Sequence, residues 1–236
     1  LRYQPSTFIR SFIRPQRVKT VRCNINRSTL EGFMADATDN PQTSKKPSLT
    51  DVNTLRARAR AHLRDGAVTQ GYRGDREKVI SLLNEALATE IVCTLRYRYH
   101  YYMASGINAK SIAAEFLEHA NEEQAHSDLL AKRITQLGGK PNFNPDGLST
   151  RSHAEYVEGD SLVEMIEENL VAERIAIDSY REAVQYIGDD DPTSRRVLED
   201  ILAQEEEHAE DLGTMLEELG RKGEPNDVAL KPAKKR

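Results

Sequence analysis

The chain has no tryptophan and only two cysteines in 236 residues. Cys23 and Cys93 stand seventy residues apart. Two thiols are too few to argue for a disulfide framework and fit a reducing compartment. No apolar run approaches the roughly 18 residues that a spanning helix requires, so the chain is not expected to span a membrane as a helix. Acidic side chains are nearly missing from residues 1–33, where seven Lys/Arg face only Glu31, although the whole chain carries a net charge of -5. What is present suits one substantial core flanked by polar extensions: 38% of residues are hydrophobic and 30% charged.

The most informative pattern is a duplicated Glu-x-x-His, Glu123 to His126 and Glu205 to His208. Each copy follows a lone glutamate, Glu90 or Glu173, by 33 and 32 residues. All six fall inside apolar stripes of helical period. From about 75 to 104 the stripe is Ile80, Leu83, Leu87, Glu90, Ile91, Thr94, Tyr97 and Tyr101; from about 109 to 137 it is Ile112, Phe116, His119, Glu123, His126, Leu130, Ile134 and Leu137. From about 160 to 187 it is Leu162, Ile166, Asn169, Glu173, Ala176, Tyr180, Val184 and Ile187; from about 194 to 219 it is Leu198, Ile201, Glu205, His208, Leu212, Leu216 and Leu219. Four helices are therefore predicted, each with a carboxylate facing the core at mid-length.

Four buried carboxylates would cost several kcal/mol each and would repel one another. Two divalent cations supply the four compensating charges, and the two imidazoles complete the coordination. A Glu and a His three residues apart project side by side from a helix, so each motif can clamp one ion while its Glu reaches the other. A metal-free alternative pairs Glu and His as buried salt bridges. The repeat extends beyond these residues. A Leu-Gly stop follows eleven residues after each motif histidine, at Leu137-Gly138 and Leu219-Gly220, and a tyrosine follows seven residues after each lone glutamate, at Tyr97 and Tyr180. Two helical hairpins about a pseudo-twofold axis account for this.

One Glu from each of two helices and Glu-x-x-His from each of the other two is an arrangement that resembles the ferritin-like di-iron bundles. Within them the chain is most similar to bacterioferritin and to the small Dps-like ferritins (DNA protection during starvation) with a bacterioferritin-type centre. The resemblance covers about residues 75–220 and implies an all-α, ferritin-like four-helix bundle. It implies that Glu90 and Glu173 are terminal ligands, that Glu123 and Glu205 bridge two irons, and that His126 and His208 each bind one. Tyr97 matches a tyrosine beside the family's centre that can donate an electron. The implied activity is a ferroxidase that oxidises Fe(II) with O2 or H2O2 and stores Fe(III) in a homo-oligomeric shell, with two Fe per subunit. Carboxylate and imidazole ligands also suit Mn or Zn. Bacterioferritin binds haem through a Met directly after the bridging Glu of its second helix; Gln124 stands there, so haem is not expected at that position. Rubrerythrin-type peroxidases carry a further Glu where this chain has Ala176, and a rubredoxin-like domain for which no Cys-x-x-Cys exists here.

Outside the bundle, residues 1–50 read as a disordered extension. Its first 33 residues read either as a transit peptide or as sequence upstream of a start at Met34. The expected location is cytoplasmic, or an organelle if the transit reading holds. Residues 51–66 read as a short extra helix capped at Thr50 or Asp51. Gly138 to Gly159 is long for a hairpin and predicts a crossover between the second and third bundle helices, with room for a short helix. The tail, 221–236, holds six Lys/Arg against Glu224 and Asp227 and no apolar stripe. A fifth helix is not expected, and by resemblance the shell is a dodecamer. Twelve such tails also permit weak DNA binding, which a gel shift across salt concentrations with and without residues 231–236 would detect. Cys93 reads as a small core residue before a redox group. His119 reads as a core histidine bonded to a neighbouring helix before a third metal ligand. Glu118 and Glu122 read as a solvated acidic face before an iron-nucleating surface, and Tyr99, Tyr101 and Tyr102 as packing.

Overall fold

The computed structural model describes residues 48–106 and 109–223, with side chains through 220. The readings of residues 1–47, of the tail beyond 223 and of a missing fifth helix lie outside the described residues. Among the described residues every regular element is helical. None is long and apolar enough to cross a membrane.

Asp51 caps α1, Val52–Arg60, by accepting from the amides of Asn53 and Thr54 at 3.0 Å. The helix stops at Arg60 because Ala61 is extended and His62 takes a left-handed φ of 53°; a single 3-10 turn, Leu63–Asp65, follows. The bundle begins with α2, Arg76–Met103, whose N-cap Asp75 accepts from Lys78 N at 3.1 Å. It continues with α3, Ala109–Gln136, then a short α4, Leu148–Arg151, within the crossover. Ser161 caps α5, Leu162–Ile187, while the Glu164 carboxylate reaches back to Asp160 N at 2.7 Å. Asp191 caps α6, Pro192–Gly223, by accepting from Ser194 N at 2.9 Å, with Pro192 in the first-turn position it tolerates.

The two Leu-Gly pairs behave differently. After Leu137 the chain leaves the helix through Gly138, at φ 76°, with Gly139 N returning to Ile134 O at 2.9 Å. Leu219-Gly220 is no stop, since α6 runs on to Gly223. The residues after each glycine account for the difference: a second glycine, Gly139, and Pro141, which also restricts Lys140 before it, oppose a helix, whereas Arg221 and Lys222 favour one.

The principal packing is α2 on α3 and α5 on α6, two antiparallel hairpins, joined by α2 against α5 and α3 against α6. The crossover is held along the length of α2. Asn84 Oδ1 accepts from Asn142 N at 2.8 Å, Thr89 Oγ1 from His153 N at 3.0 Å, Arg96 donates to Glu155 O at 2.8 Å, and His100 Nε2 meets Glu158 O at 2.9 Å. The third bundle helix therefore starts beside the end of the first, and α5 descends antiparallel to α2.

The core has two apolar parts. At one end Val79, Leu83, Leu87, Leu130, Ile134, Leu198 and Ile201 pack together; at the other, Ile112, Phe116, Ala120, Ile166 and Leu212. Burying each large aliphatic side chain contributes about 1.5–3 kcal/mol. These two clusters enclose a polar belt at the middle of the bundle.

Candidate metal centre

The belt collects the six residues singled out by the repeat, one position from each of four helices and a second from two of them. Glu90 comes from α2, Glu123 and His126 from α3, Glu173 from α5, and Glu205 and His208 from α6. All are buried, none more than 3% exposed. Their ligand atoms form two overlapping sets, each within 4.8 Å: Glu90, Glu123, His126 and Glu205, and Glu123, Glu173, Glu205 and His208. Glu123 and Glu205 belong to both sets. Glu90 and Glu173 belong to one each, as do the histidines.

Both imidazoles turn Nδ1 inward. His126 Nδ1 lies 3.2 Å from Glu90 Oε2 and 3.1 Å from Glu205 Oε1; His208 Nδ1 lies 3.4 Å from Glu123 Oε1 and 3.5 Å from Glu205 Oε2. The outward nitrogens are engaged elsewhere. His126 Nε2 meets Gln204 Oε1 at 2.8 Å, and His208 Nε2 meets Glu122 Oε2 at 2.8 Å. Each acceptor fixes the proton on Nε2 and leaves the Nδ1 lone pair for a ligand inside. Gln204 and Glu122 both directly precede a shared glutamate, and each holds the histidine of the other hairpin.

The lone glutamates are also crossed. Tyr97 of α2 donates to Glu173 Oε1 of α5, and Tyr180 of α5 donates to Glu90 Oε1 of α2. Each hydroxyl pins one carboxylate oxygen and leaves the other facing the centre. Burial and the adjacent carboxylates raise both phenols well above their ordinary value, so both keep their protons. Nearby, the wholly buried Arg96 donates to Asn169 Oδ1 at 2.9 Å and contacts Cys93 Sγ.

The electrostatics follow from burial opposed by neighbours. Burial and Glu123 push the Glu90 carboxyl up to about 8. Burial, Glu123 and Glu205 push Glu173 well above its ordinary value. Burial presses Glu123 and Glu205 upward, helped by the charge of Glu205 on the first and of Glu90 on the second, but the two imidazoles, with the partner carboxyls, outweigh this and hold both below the usual range. Burial disfavours an imidazolium at His126 and His208. The surrounding carboxylates nevertheless raise His126 strongly and bring His208 up to about 11. With protons alone, two imidazoliums therefore balance Glu123 and Glu205, while Glu90 and Glu173 stay protonated. Two divalent cations can replace those four protons without changing the net charge.

Proton sharing leaves the polar groups poorly satisfied. Glu123 Oε1, Glu173 Oε2, both Glu205 oxygens and His208 Nδ1 are buried without a hydrogen-bond partner in the protein. His126 Nδ1 approaches Glu205 Oε1 closely, but its hydrogen bond goes to Glu90. Unsatisfied buried donors and acceptors cost about 1–3 kcal/mol each, more for charged groups. Five such atoms converging on one point fit a pair of cations, and the nitrogen and oxygen donors suit iron, manganese or zinc alike.

The remaining sequence candidates separate cleanly. Cys93 packs with Ala154 and Ala172, and burial raises its thiol well above the ordinary value. His119 bonds Tyr97 Oη at 3.2 Å and stacks on His208 at 4.1 Å, outside the six. Burial and neighbouring His208 keep it neutral, its pKa pushed down to about 3. Of the tyrosines near the end of α2, Tyr97 alone meets the centre; Tyr99 pairs with Glu158, and Tyr102 is exposed. Glu122, read mainly as a solvated face, instead orients a histidine. Periodicity missed Gln204 and the bond from Tyr180, although the repeat marks both positions.

A family model described as the ferritin-like domain matches residues 80–222. A bacterioferritin from Rhodobacter capsulatus is 31% identical over 155 residues, 65% of this chain and 91% of that protein. A bacterioferritin from Brucella melitensis biotype 1 is 32% identical over 148 residues, 62% and 88% of the two chains. Among solved structures, the bacterioferritin-related protein of Bacteroides fragilis, described as a dodecameric thioferritin, superposes with a TM-score of 0.61 at 31% identity, over 63% of this chain and 89% of that one. The Dps protein of Thermosynechococcus elongatus, at 21% identity and a TM-score of 0.58 over 59% and 90%, shares the fold.

Proposed function

Because the chain belongs to the ferritin-like domain family, as a protein of bacterioferritin type, we propose that it is a ferroxidase and iron-storage protein working at the six-residue centre. The observation that carries this reading is the pair of four-residue ligand sets sharing Glu123 and Glu205. Ferrous iron is the substrate. Two ions give one electron each to dioxygen, which leaves as hydrogen peroxide after taking two protons, or to hydrogen peroxide, which leaves as two waters after taking two protons.

The chain's own part is placement and charge. Glu90 with His126, and Glu173 with His208, define the two ends of the site; Glu123 and Glu205 lie between them and hold both ions at one separation. Gln204 and Glu122 keep the two Nδ1 lone pairs pointed inward. Tyr97 and Tyr180 hold one oxygen of each end carboxylate and leave the other free to bind. The apolar clusters above and below keep bulk water out, so the fixed carboxylates act at low dielectric and favour the more highly charged ferric product. Tyr97, buried against Glu173 and able to pass its proton there, is placed to supply an electron.

The product is stored inside a shell of copies of this chain, and the dodecameric relative supports a shell of twelve. Glu123→Ala and His126→Ala should each slow rapid ferrous oxidation by more than about a hundredfold, beyond the loss expected for an outer partner. Native mass should show an unchanged shell. Oxidation at the native rate in both variants would refute the assignment.

A further inference from the structure

Beside the six residues, α3 and α6 assemble another polar group. Glu115 and His119 from α3 and Asp211 from α6 place their ligand atoms within 4.8 Å of one another. The His119 side chain is 2% exposed, and its Nδ1 lies 3.2 Å from Tyr97 Oη. That hydroxyl gives its proton to Glu173, so toward His119 it can only accept, and the imidazole proton must sit on Nδ1. His119 Nε2 is then a lone pair. It is aimed between Glu115 Oε1, at 3.6 Å, and Asp211 Oδ2, at 3.9 Å, both too distant for a hydrogen bond. Three acceptors thus face one point, and one of them is a nitrogen of a side chain only 2% exposed.

A divalent transition-metal ion satisfies this geometry. It would take one imidazole nitrogen and two carboxylate oxygens, leaving further positions to water. The point is reachable from solvent, because Glu115 and Asp211 are 34% and 54% exposed. It also adjoins the centre, because the His119 ring stacks on His208 at 4.1 Å. We infer that Glu115, His119 and Asp211 hold a third divalent cation and, resting on the ferroxidase reading, form the station through which Fe(II) passes from solvent to the six residues.

Cobalt(II) serves as a redox-stable probe. Calorimetric titration of the assembled shell should give three ions per subunit. The double variant Glu115→Gln with Asp211→Asn, both partly solvated, should give two, and Glu123→Gln with Glu205→Gln should lose the central pair and keep one. Anomalous scattering at the cobalt edge should place the third ion at about 2.1 Å from His119 Nε2, the ordinary metal–imidazole distance. Ferrous oxidation by the Glu115/Asp211 variant should require several-fold more Fe(II) to reach half its maximal rate. Two ions in both the native shell and that variant, or no scattering at Nε2, would overturn the third site and leave the ferroxidase reading standing. Full binding by the Glu123/Glu205 variant would instead sink the ferroxidase reading. An unchanged half-saturating Fe(II) concentration would remove the station's role in entry.

Discussion

Each histidine of the candidate centre has its direction set from outside, at Nε2, by Gln204 for His126 and by Glu122 for His208. Replacing Gln204 with Leu should free His126 to rotate and to carry its proton on Nδ1. Metal affinity should fall about 10–100-fold, the usual effect of removing an outer partner. Competition titration against a chelator measures this, and an unaltered affinity would contradict the assigned role. The protons balancing the site predict a pH dependence as well. Glu90 has a folded value of about 8 against an ordinary 4.5, so the stability it contributes is complete below 4.5 and is lost as pH rises through about 8. The raised His126 and His208 act in the same sense from 6.5 upward. Glu123 and Glu205, held low, contribute above 4.5 and lose that contribution as pH falls through their folded values. Chelator-treated protein should therefore melt at a lower temperature at about pH 8 than at about pH 5, while its affinity for zinc rises over that interval. Equal melting temperatures and equal affinities at the two pH values would contradict this account. The six residues were readable because each interrupts an apolar stripe at helical spacing. Gln204 and Tyr180 were given no role and Glu122 was read as a solvated face, because periodicity identifies the face of a helix and says nothing of which side chain meets it from the next.

At the scale of elements, the crossover follows α2 because Asn84, Thr89, Arg96 and His100 offer a ladder of partners for its backbone. Its departure from α3 is tightly built. A Cβ on Gly139 would meet Ile80 Cγ2 at 2.8 Å and Ile134 Cγ2 at 3.0 Å. Gly139→Ala should cost about 1–3 kcal/mol, the range for an overpacked interior, read as a lower denaturation midpoint. No change would mean that the two isoleucines yield freely. The four long helices were legible from stripes and caps. The true length of α6 was not, because Leu-Gly marks an exit only when the next residues also refuse the helix. Gly139 and Pro141 do so; Arg221 and Lys222 do not.

At the scale of the whole bundle, a polar belt lies between two apolar clusters, and two crossed hairpins supply it symmetrically. The sequence repeat announced that symmetry. The exchange of supporting bonds between the hairpins, Tyr97 to Glu173 and Tyr180 to Glu90, emerged only from their packing. The account rests on the belt holding two ions together. Crystals loaded anaerobically with Fe(II) and measured at the iron edge test it most directly. Two anomalous peaks should lie about 3.5–4 Å apart, the spacing of two-metal sites, one beside His126 Nδ1 and the other beside His208 Nδ1, with Glu123 and Glu205 between them. A single peak, or iron bound only away from the shared glutamates, would contradict it.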